Sequence, residues 1–523
     1  MKRLVAMSGL VAMVAALGSC ESSGTETDNP IGPQGIEVRR SPLPYVTTVS
    51  VAEADGAALR FGERAFSLDL YRAVAAKAAT DQNLFLGTHS VATLLAMTTA
   101  AARGPTQTEI NTALKHGLSQ EALHPAMNQL AQALRAEVAG TTAQYDSLNS
   151  IWVAKGYSVG APFLDILSQQ YDTGVFVADF TGNTEGARTS INTWVGQQTQ
   201  GNIPELFAAG SIDPTAELVL TNAAYFSAQW NDRFDPATTK TQEFSLPDGT
   251  AVDVPMMARE WKFPFAFDVD WRAFELPVKD VSMGMVFVLP NAGEYANLES
   301  RFDSAMVDKI VAALDAARAK QSEVYVQVPR FDFGSEVDLR VALQSLGVNS
   351  AFDSNRADFG GIDSSQPLYV TGFPHRTTVG VDEYGTTAAV ATGEVWVPLA
   401  ISPNIFLNRP FLFFTYDHTT STVLFVGRLV RPAGTPHAPA QTPVTSTDLQ
   451  SICSIVAPCQ GRTTTEAECQ TSFATDESAV VQSCANCLRA KNDLCSNITN
   501  CSWGQGDVCD PATCAAYCPG HSY

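Results

Sequence analysis

The stretch EYGTTAAVATGEVWVPLAISPNIFLNRPF, residues 383–411, joins two contrasting kinds of sequence. Residues 385–392 are glycine, threonine, alanine and valine, with very little side-chain bulk. The residues that follow contain Pro398 and Pro403 and end at Phe411, where an aromatic strand begins. Small residues that tolerate β-structure, next to a segment bracketed by prolines, are typical of a loop that can also become a strand. The stretch therefore predicts a conformational switch.

Length, charge and composition limit the classes of partner. The chain has 523 residues, 45% of them hydrophobic, which is enough for one large core with appendages. Its formal net charge of −21 disfavours nucleic acid and other polyanions as partners. The helix expected over residues 120–138 contains one basic residue, Arg135, so this helix offers little positive charge for binding heparin.

The first twenty residues predict an export signal. Two basic residues precede an apolar run over residues 4–17 that is too short to span a membrane. Residues 17–20, Leu-Gly-Ser-Cys, resemble a bacterial lipobox, which implies a signal peptide over residues 1–19 and lipid attached to Cys20. The alternative is an ordinary signal peptide that contains a cysteine. The protein is thus expected to be exported, either anchored to a membrane at Cys20 and facing the periplasm or the cell exterior, or secreted.

Cysteines are concentrated at the C-terminal end of the chain. There are 11 in all, one is Cys20, and none lies between residues 21 and 452. The others are Cys453, Cys459, Cys469, Cys484, Cys487, Cys495, Cys501, Cys509, Cys514 and Cys518. This density in an exported segment predicts a disulfide-rich module over residues 451–523, with five bridges of unknown pairing. Zinc is the alternative, suggested by the CxxC spacing of Cys484 and Cys487, but the only nearby histidine is His521.

Two polar stretches that contain prolines delimit the rest of the chain. Residues 20–45 predict a flexible tether, and residues 433–450 predict a Pro-rich linker. Residues 46–432 lie between them without a comparable interruption or an evident repeat. They are therefore expected to form one large domain.

The order of patterns in this domain predicts its fold class. Near its start, apolar residues recur with helical spacing at Phe66, Leu70 and Val74, with Phe61 and Ala65 near the same face. Later apolar runs predict a helix over residues 91–102 and strands over residues 218–226, 283–289, 324–328, 411–416 and 423–426. Helices first and strands later indicate an α+β fold with a mostly antiparallel sheet system.

Short motifs in this order resemble those of the serpin family. They are Asn83-Leu84-Phe85, Ala102-Arg103-Gly104, Ile191-Asn192-x-Trp194, Asn222-Ala223-x-Tyr225-Phe226, Val254-Pro255-Met256-Met257, Glu275-Leu276-Pro277, Pro329-Arg330-Phe331 and Ala351-Phe352. Each motif is weak alone, but together, in register over residues 55–432, they are specific. The resemblance implies the serpin fold, in which helices pack on a large mixed sheet, two smaller sheets complete the domain, and a reactive loop is exposed.

The resemblance also implies a mechanism for residues 383–411. Serpins inhibit serine proteases as suicide substrates: the protease attacks the loop and forms an acyl-enzyme, and the cleaved loop inserts into the central sheet as a new strand. The implied partner is a target serine protease held in a covalent complex. The hinge residues of the loop are Glu383, Gly385, Thr386, Thr387, Ala388, Ala389, Val390, Ala391 and Thr392.

Insertion restricts the side chains that the loop can carry. Strand faces alternate with period two, so side chains that turn toward the core must be small or apolar. A charge or a proline at Thr386 would stop insertion, and neither is present, which favours an inhibitor. Glu394 and Trp396 fall on the core-facing side and count against complete trapping. The alternative is a non-inhibitory serpin-fold surface or binding protein whose Cys-rich tail is the interaction module.

Counts from both ends of the loop place the scissile bond at one position. In similar serpins, the residue that donates the scissile carbonyl lies sixteen residues after the hinge acid, which gives Leu399 from Glu383. Counting back ten residues from Pro410 gives Ala400 as the residue after the cut. Leucine before the bond implies a chymotrypsin-, elastase- or subtilisin-like target and disfavours a trypsin-like one.

The resemblance further implies which residues control the sheet. Glu383 and Arg330 look like the pair that closes the top of the sheet, with Trp230 as the buried tryptophan beside them. The hydrogen-bonded cluster under the opening point is expected to comprise Ser90, Asn222 and His375. Gly87 and Thr88 stand where the family usually has Ser-Pro, and this departure bears on the geometry of that cluster.

Catalysis is disfavoured. The sequence contains no GxSxG, HExxH or P-loop motif. Residues 87–90, Gly-Thr-His-Ser, are faintly similar to a subtilisin histidine segment, but no matching serine motif follows. The chain is therefore expected not to be an enzyme, and no catalytic residue, cofactor or metal is predicted.

Overall fold

Helices precede most strands along the part of the chain that the structure describes. The computed structural model describes residues 31–32, 36–320, 322–386 and 403–437. The helices are α1 (Glu53–Ala75), α2 (Thr88–Thr99), α3 (Gly104–Leu114), α4 (Gln120–Val138), α5 (Ala161–Tyr171), α6 (Thr184–Gln198), α7 (Tyr295–Ser300), α8 (Ser304–Arg318) and α9 (Arg340–Ser345). The strands are β1 (Ile31–Gly32), β2 (Ile36–Arg39), β3 (Leu84–Leu86), β4 (Gln144–Ala154), β5 (Val175–Ala178), β6 (Leu218–Ser227), β7 (Lys240–Ser245), β8 (Ala251–Trp261), β9 (Phe265–Phe267), β10 (Trp271–Pro277), β11 (Met283–Pro290), β12 (Val324–Pro329), β13 (Phe331–Asp338), β14 (Val370–Gly372), β15 (Pro374–Val381), β16 (Asn404–Phe406), β17 (Phe411–Asp417), β18 (Thr422–Leu429) and β19 (Thr435–His437). This arrangement confirms the predicted α+β class.

The largest sheet, which we call the main sheet, has the strand order β1-β2-β5-β4-β6-β15-β13, and β14 also pairs with β6. Most neighbouring strands in the molecule are antiparallel, as the sequence predicts, but β6 and β15 run parallel. A strand placed between two parallel strands can be antiparallel to both. The polarity of β6 and β15 therefore permits a further strand between them.

Two smaller sheets complete the domain. The second sheet has the order β3-β18-β17-β11-β10-β9. The third sheet has the order β16-β12-β8-β19, with β7 also paired to β8. Because β16 is the first described element after residue 402 and pairs in parallel with β12, the chain returns from the loop into the third sheet.

Strand β6 is buried on both faces because it contributes to two hydrophobic cores. Leu220 and Phe226 belong to the larger core, with residues of α1, α2 and the second sheet. Val219 and Ala223 belong to a smaller core, with Trp152 and residues of α6. A strand covered on both faces has a nearly continuous apolar sequence, which explains the largely apolar run over residues 218–226, interrupted at Thr221 and Asn222.

The sequence located the buried strands more accurately than the helices. All five predicted strands are confirmed, as β6, β11, β12, β17 and β18, to within three residues at each end. The helix predicted over residues 91–102 is confirmed as α2, which lies three residues earlier, at Thr88–Thr99. Beyond it, the Arg103 N–H donates to the Asp358 carbonyl oxygen at 2.9 Å. The assignment of Phe61 to the core face of α1 was wrong, since its side chain is 60% exposed.

Residues near the start of the described chain are tied to the main sheet. Residues 36–39, which the sequence places in the tether, form β2 and pair antiparallel with β5, and Ile36 is buried. The Ser41 N–H then donates to Ser168 Oγ on α5 at 3.1 Å. The alternation of Ile36 and Val38 with charged residues is the period-two pattern of a half-buried strand.

Residues near the end of the described chain are tied to the third sheet. Residues 435–437, at the start of the predicted linker, form β19 and pair antiparallel with the first residues of β8. Gly434 permits this approach, because a Cβ there would lie 2.4 Å from the Asp253 carbonyl oxygen.

Several predicted residues lie outside the described ranges. They are Cys20, the tail residues Cys453, Cys459, Cys469, Cys484, Cys487, Cys495, Cys501, Cys509, Cys514 and Cys518, and the loop residues Thr387, Ala388, Ala389, Val390, Ala391, Thr392, Leu399 and Ala400. Within the described ranges, no helix has both the length and the apolar character needed to cross a membrane.

Candidate functional site

The parallel strands β6 and β15 form a seam in the main sheet. Their register pairs Asn222 with His375 at one end and Tyr225 with Thr378 at the other. We call these paired residues the lower seam. Beyond Thr378, the chain that follows β15 turns back and lies between Gly380 on β15 and Ala228 next to the end of β6. We call this region the upper seam.

A tight turn reverses the chain after β15. The Asp382 carboxylate accepts hydrogen bonds from the N–H groups of Tyr384, at 2.8 Å, and Gly385, at 3.1 Å. Aspartate favours such turns because its side chain reaches the backbone two residues on. The buried Trp230 holds the same turn, since its Nε1 donates to the Asp382 carbonyl oxygen and its N–H to that of Tyr384, both at 2.9 Å.

Two hinge residues already occupy the upper seam. Gly385 forms an antiparallel bridge with Gln229, and a Cβ on Gly385 would lie 2.0 Å from the Ala228 carbonyl oxygen, so this position requires glycine. The Thr386 N–H donates to that same carbonyl oxygen at 2.8 Å, and Thr386 Oγ1 accepts from the Ala228 N–H at 2.6 Å. Thr386 is 1% exposed.

The other side of Thr386 faces β15. A Cβ placed on Gly380 would lie 3.4 Å from the Thr386 carbonyl oxygen. Thr386 therefore lies between β6 and β15, and the neighbouring Gly385–Gln229 bridge is antiparallel, which is the orientation relative to β6 that an inserted strand needs.

An ion pair closes the top of the upper seam. Arg330 Nη2 donates to Glu383 Oε1 at 2.5 Å, and Thr239 Oγ1 donates to the same oxygen at 2.6 Å. Burial alone raises the pKa of Glu383, but the hydrogen bonds from Thr239 and Arg330 outweigh it and lower the pKa below its usual value. The Glu383 side chain is buried, whereas that of Arg330 is 48% exposed. The structure thus brings together the two residues that the resemblance paired.

A buried polar cluster holds the lower seam. His375 Nε2 accepts a hydrogen bond from the Gly87 N–H at 3.1 Å, so Nδ1 carries the proton and donates to Asn222 Oδ1 at 2.5 Å. The Asn222 amide donates to Ser90 Oγ at 2.7 Å. Burial lowers the pKa of His375 to about 3, so its ring is neutral.

Gly87 explains how this cluster tolerates its departure from the usual family sequence. A Cβ on Gly87 would lie 2.6 Å from the Ala224 Cβ on β6. The missing side chain lets α2 begin against β6, and it brings the Gly87 N–H within reach of His375. A serine at this position would require β6 or α2 to move.

Residue types alone did not reveal three members of the site. Asn149 Oδ1 accepts from the Asn222 amide at 2.5 Å, and Ser147 Oγ donates to Ser90 Oγ at 2.7 Å. Both lie on β4. Thr239, just before β7, donates a hydrogen bond to Glu383. The available signal was the placement of Ser147 and Asn149 two residues apart on a strand, which puts them on one face.

The described residues of the site hold strands β6 and β15 together through hydrogen bonds. Ser90 and His375 are not paired with each other as a nucleophile and a base would be. Ser90 and His375 each bond to Asn222, and the second nitrogen of His375 is occupied by the Gly87 N–H. Within the described ranges, no group of three or more His, Cys, Asp or Glu side chains is arranged to hold a metal ion. The arrangement can control how far a strand enters the seam.

Comparisons with known sequences give a consistent result. A family model described as serpin (serine protease inhibitor) matches residues 62–432. An uncharacterized serpin-like protein of Thermococcus kodakarensis is 33% identical over 372 residues, which cover 70% of this chain and 84% of that protein. The leukocyte elastase inhibitor of Sus scrofa is 32% identical over 375 residues, which cover 70% of this chain and 97% of that protein.

Solved structures share the fold. The native state of tengpin, a thermophilic serpin, has a TM-score of 0.66 at 24% identity and covers 74% of this chain and 97% of its own. Thyroxine-binding globulin in complex with thyroxine has a TM-score of 0.63 at 25% identity and covers 72% of this chain and 99% of its own.

Proposed function

The chain belongs to the serpin family, and we propose that it inhibits serine proteases as a suicide substrate. The catalytic serine of the protease attacks the Leu399 carbonyl, the amine of Ala400 leaves with a proton, and Leu399 becomes esterified to the protease. The loop up to Leu399 then enters the seam as a strand between β6 and β15 and traps the ester.

The position of Thr386 carries this proposal. Thr386 already forms two hydrogen bonds with Ala228: its N–H donates to the Ala228 carbonyl oxygen, and its Oγ1 accepts from the Ala228 N–H. It is shielded from solvent between the two strands. Insertion would place the residues after Thr386 farther down the seam, and it would separate the lower-seam pairs from Tyr225–Thr378 to Asn222–His375. The small residues from Thr387 to Thr392 are suited to follow Thr386.

The proposed targets are proteases with an apolar primary pocket. Leu399 fits chymotrypsin-, elastase- or subtilisin-like enzymes. The relatives named leukocyte elastase inhibitor favour the elastase type. A trypsin-like pocket requires Lys or Arg before the scissile bond, and Leu399 is neither.

The test is incubation of the full chain with elastase, chymotrypsin and subtilisin, followed by denaturing electrophoresis and mass spectrometry. The expected result is a covalent complex of summed mass, together with a new N-terminus at Ala400. Leu399→Arg is the matched control, since it should transfer complex formation to trypsin. Cleavage without any complex for every protease would contradict inhibition and favour the non-inhibitory alternative.

We further propose that Cys20 carries a membrane anchor and that the ten tail cysteines form five disulfides. The support is the lipobox-like sequence and the density of cysteine in residues 451–523. Detergent partition of the exported protein should be lost in Cys20→Ala, and mass spectrometry should find no free thiol in the tail. Retention of Cys20→Ala in the detergent phase would exclude the anchor.

A further inference from the structure

A buried pair of polar side chains joins α1 to the first turn of α2. Glu63 on α1 and His89 on α2 are each 4% exposed, and the Glu63 carboxylate accepts a hydrogen bond from His89 Nδ1 at 3.1 Å. His89 belongs to the Gly-Thr-His-Ser segment, residues 87–90, whose first and last residues contact the lower seam. Apolar residues at both positions would cost less to bury than a carboxylate and an imidazole. A positioning role therefore explains the pair better than a gain in stability does.

The start of α2 has little to fix it locally. Gly87, the residue before the helix, provides no side-chain cap, and glycine has the most flexible backbone. Thr88 is the first residue of α2, a position where proline would preset the backbone angle. A contact from another element is therefore needed to fix the rotation and depth of this turn. The hydrogen bond between His89 and Glu63 is such a contact, and it lies two residues after Gly87.

Glu63 can serve as a fixed point because α1 packs closely at this position. It follows Gly62, where a Cβ would lie 2.6 Å from the His116 Cα. Leu59 and Phe66, four residues before and three residues after Glu63, share its face of the helix and are buried in the larger core. A shift or rotation of α1 here would drive backbone into backbone. The position of the Glu63 carboxylate is therefore determined by the packing of α1.

His89 and Ser90 together hold the first turn of α2 against β4. The His89 ring lies 6.3 Å from the Tyr145 ring, measured between centroids. Ser147, two residues further along β4 and on the same face, donates to Ser90 Oγ at 2.7 Å. Ser90 Oγ also accepts from the Asn222 amide on β6 at 2.7 Å. Because His89 and Ser90 are adjacent in one helical turn, a displacement of His89 also displaces the Ser90 hydroxyl.

We propose that Glu63 and His89 are positioning residues for the lower seam. This inference rests on the proposed function and concerns its regulation. The pair holds the first turn of α2 at the depth at which Ser90 reaches both Ser147 and Asn222. Opening of the seam moves Asn222 away from its partners, and the Ser90 hydroxyl resists that movement only while it stays within hydrogen-bond distance. The pair therefore raises the barrier to insertion and helps to keep the uncut loop out of the lower seam.

The test measures opening of the seam without a protease. A fluorescent peptide with the sequence of residues 387–398 is added to the uncut full-length protein, and fluorescence anisotropy follows its uptake. Uptake requires a strand to enter between β6 and β15, so its rate reports opening of the lower seam. We expect His89→Val and Glu63→Ala each to speed uptake about tenfold, the effect of one lost buried hydrogen bond. Glu63→Gln, which keeps an acceptor for His89, should retain the wild-type rate.

A double-mutant cycle shows whether the pair acts through Ser90. Ser90→Ala should also speed uptake about tenfold, and adding His89→Val to it should change the rate little further. Leu298→Ala is the control for lost stability alone, because Leu298 is buried on α7. This variant should unfold at lower urea concentration and still take up the peptide at the wild-type rate.

Wild-type uptake by His89→Val would overturn the proposal, and so would effects of His89→Val and Ser90→Ala that multiply in the double variant. Absence of uptake from every variant would also overturn it, because opening would then not depend on this turn of α2. If His89→Val does not fold, Glu63→Ala takes its place in the cycle. The assay contains no protease, so a failure to inhibit proteases would reject the proposed function and leave the positioning role standing.

Discussion

The upper and lower parts of the seam are held by different kinds of interaction. In the upper seam, one ion pair with a half-exposed arginine and the backbone contacts of Thr386 keep the hinge in place. In the lower seam, four residue pairs of β6 and β15 are supported by the hydrogen-bonded cluster in which Ser90, Asn222 and His375 are fully buried.

This difference assigns an order to opening. An ion pair with a half-exposed partner is partly screened by water, whereas buried hydrogen-bonded networks are costly to disrupt. The upper seam should therefore admit the loop first, and the lower seam should set the barrier to complete insertion. Four predictions test this division, beginning with the largest expected effect.

Thr386→Arg should convert the protein from an inhibitor into a substrate. An arginine has no partner between Ala228 and Gly380, so residue 386 should leave the seam in the native state. Returning the charge to the seam during insertion would then cost several kcal/mol. Each 1.4 kcal/mol added to the insertion barrier favours hydrolysis about tenfold, so the stoichiometry of inhibition should rise at least about tenfold. Thr386→Ser, which keeps the hydroxyl, is the control. Normal trapping by Thr386→Arg would refute the insertion argument.

Asn222→Ala should destabilise the native state by about 3 kcal/mol, because it leaves the buried polar groups of His375 and Ser90, and the half-buried amide of Asn149, without their shared partner. Urea unfolding followed by fluorescence measures the change. Asn355→Ala, at an exposed position, should change stability by less than about 0.5 kcal/mol. Similar values for the two variants would show that the lower seam is not held by this cluster.

The native state should lose stability as the pH falls from about 6.5 to about 4. The pKa of His375 is lowered to about 3, so the unfolded chain binds its proton first. Each such histidine therefore removes about 1.4 kcal/mol per pH unit in this window. His116 and His124, whose pKa values burial lowers to about 4, add to the effect.

Comparison with His375→Gln isolates the lower seam in this experiment. The slope of unfolding free energy against pH should be shallower in the variant by about 1.4 kcal/mol per unit. Parallel curves for the two proteins would mean that His375 is already charged in the native state.

Glu383→Gln should have the smallest effect, about 1 kcal/mol at neutral pH, because Arg330 is half exposed and the pair is partly screened. The pKa of Glu383 is lowered, so its contribution is present above its ordinary pKa and should disappear as the pH falls below about 4. Glu37→Gln, which removes a more exposed pair with Arg39, is the matched control. A loss as large as that of Asn222→Ala would reverse the proposed order of opening.

Sequence reasoning was most accurate where burial dictates residue type. The largely apolar sequence of β6 follows from its two covered faces. The motifs that carry Arg330, Asn222 and Glu383 are short enough to be recognised locally. The structure places Glu383 against Arg330, and Ser90 and His375 on either side of Asn222.

Contacts that depend on the register between strands could not be predicted from the sequence. Asn149 joins the cluster because β4 pairs with β6 so that Asn149 lies opposite Asn222, and no pattern within β4 specifies that alignment. The pairing of β2 with β5 and of β19 with β8 has the same origin. Both segments are only three or four residues long, so partners far along the chain determine whether they become strands.

The burial of β17 and β18 has a consequence for the integrity of the molecule. Both strands lie inside the second sheet, and every residue of each is buried. A chain break anywhere in residues 387–402 would therefore divide the polypeptide into two fragments that share one hydrophobic core. The nicked protein should migrate as a single species under native conditions. Its fragments should separate only when a denaturant unfolds the domain.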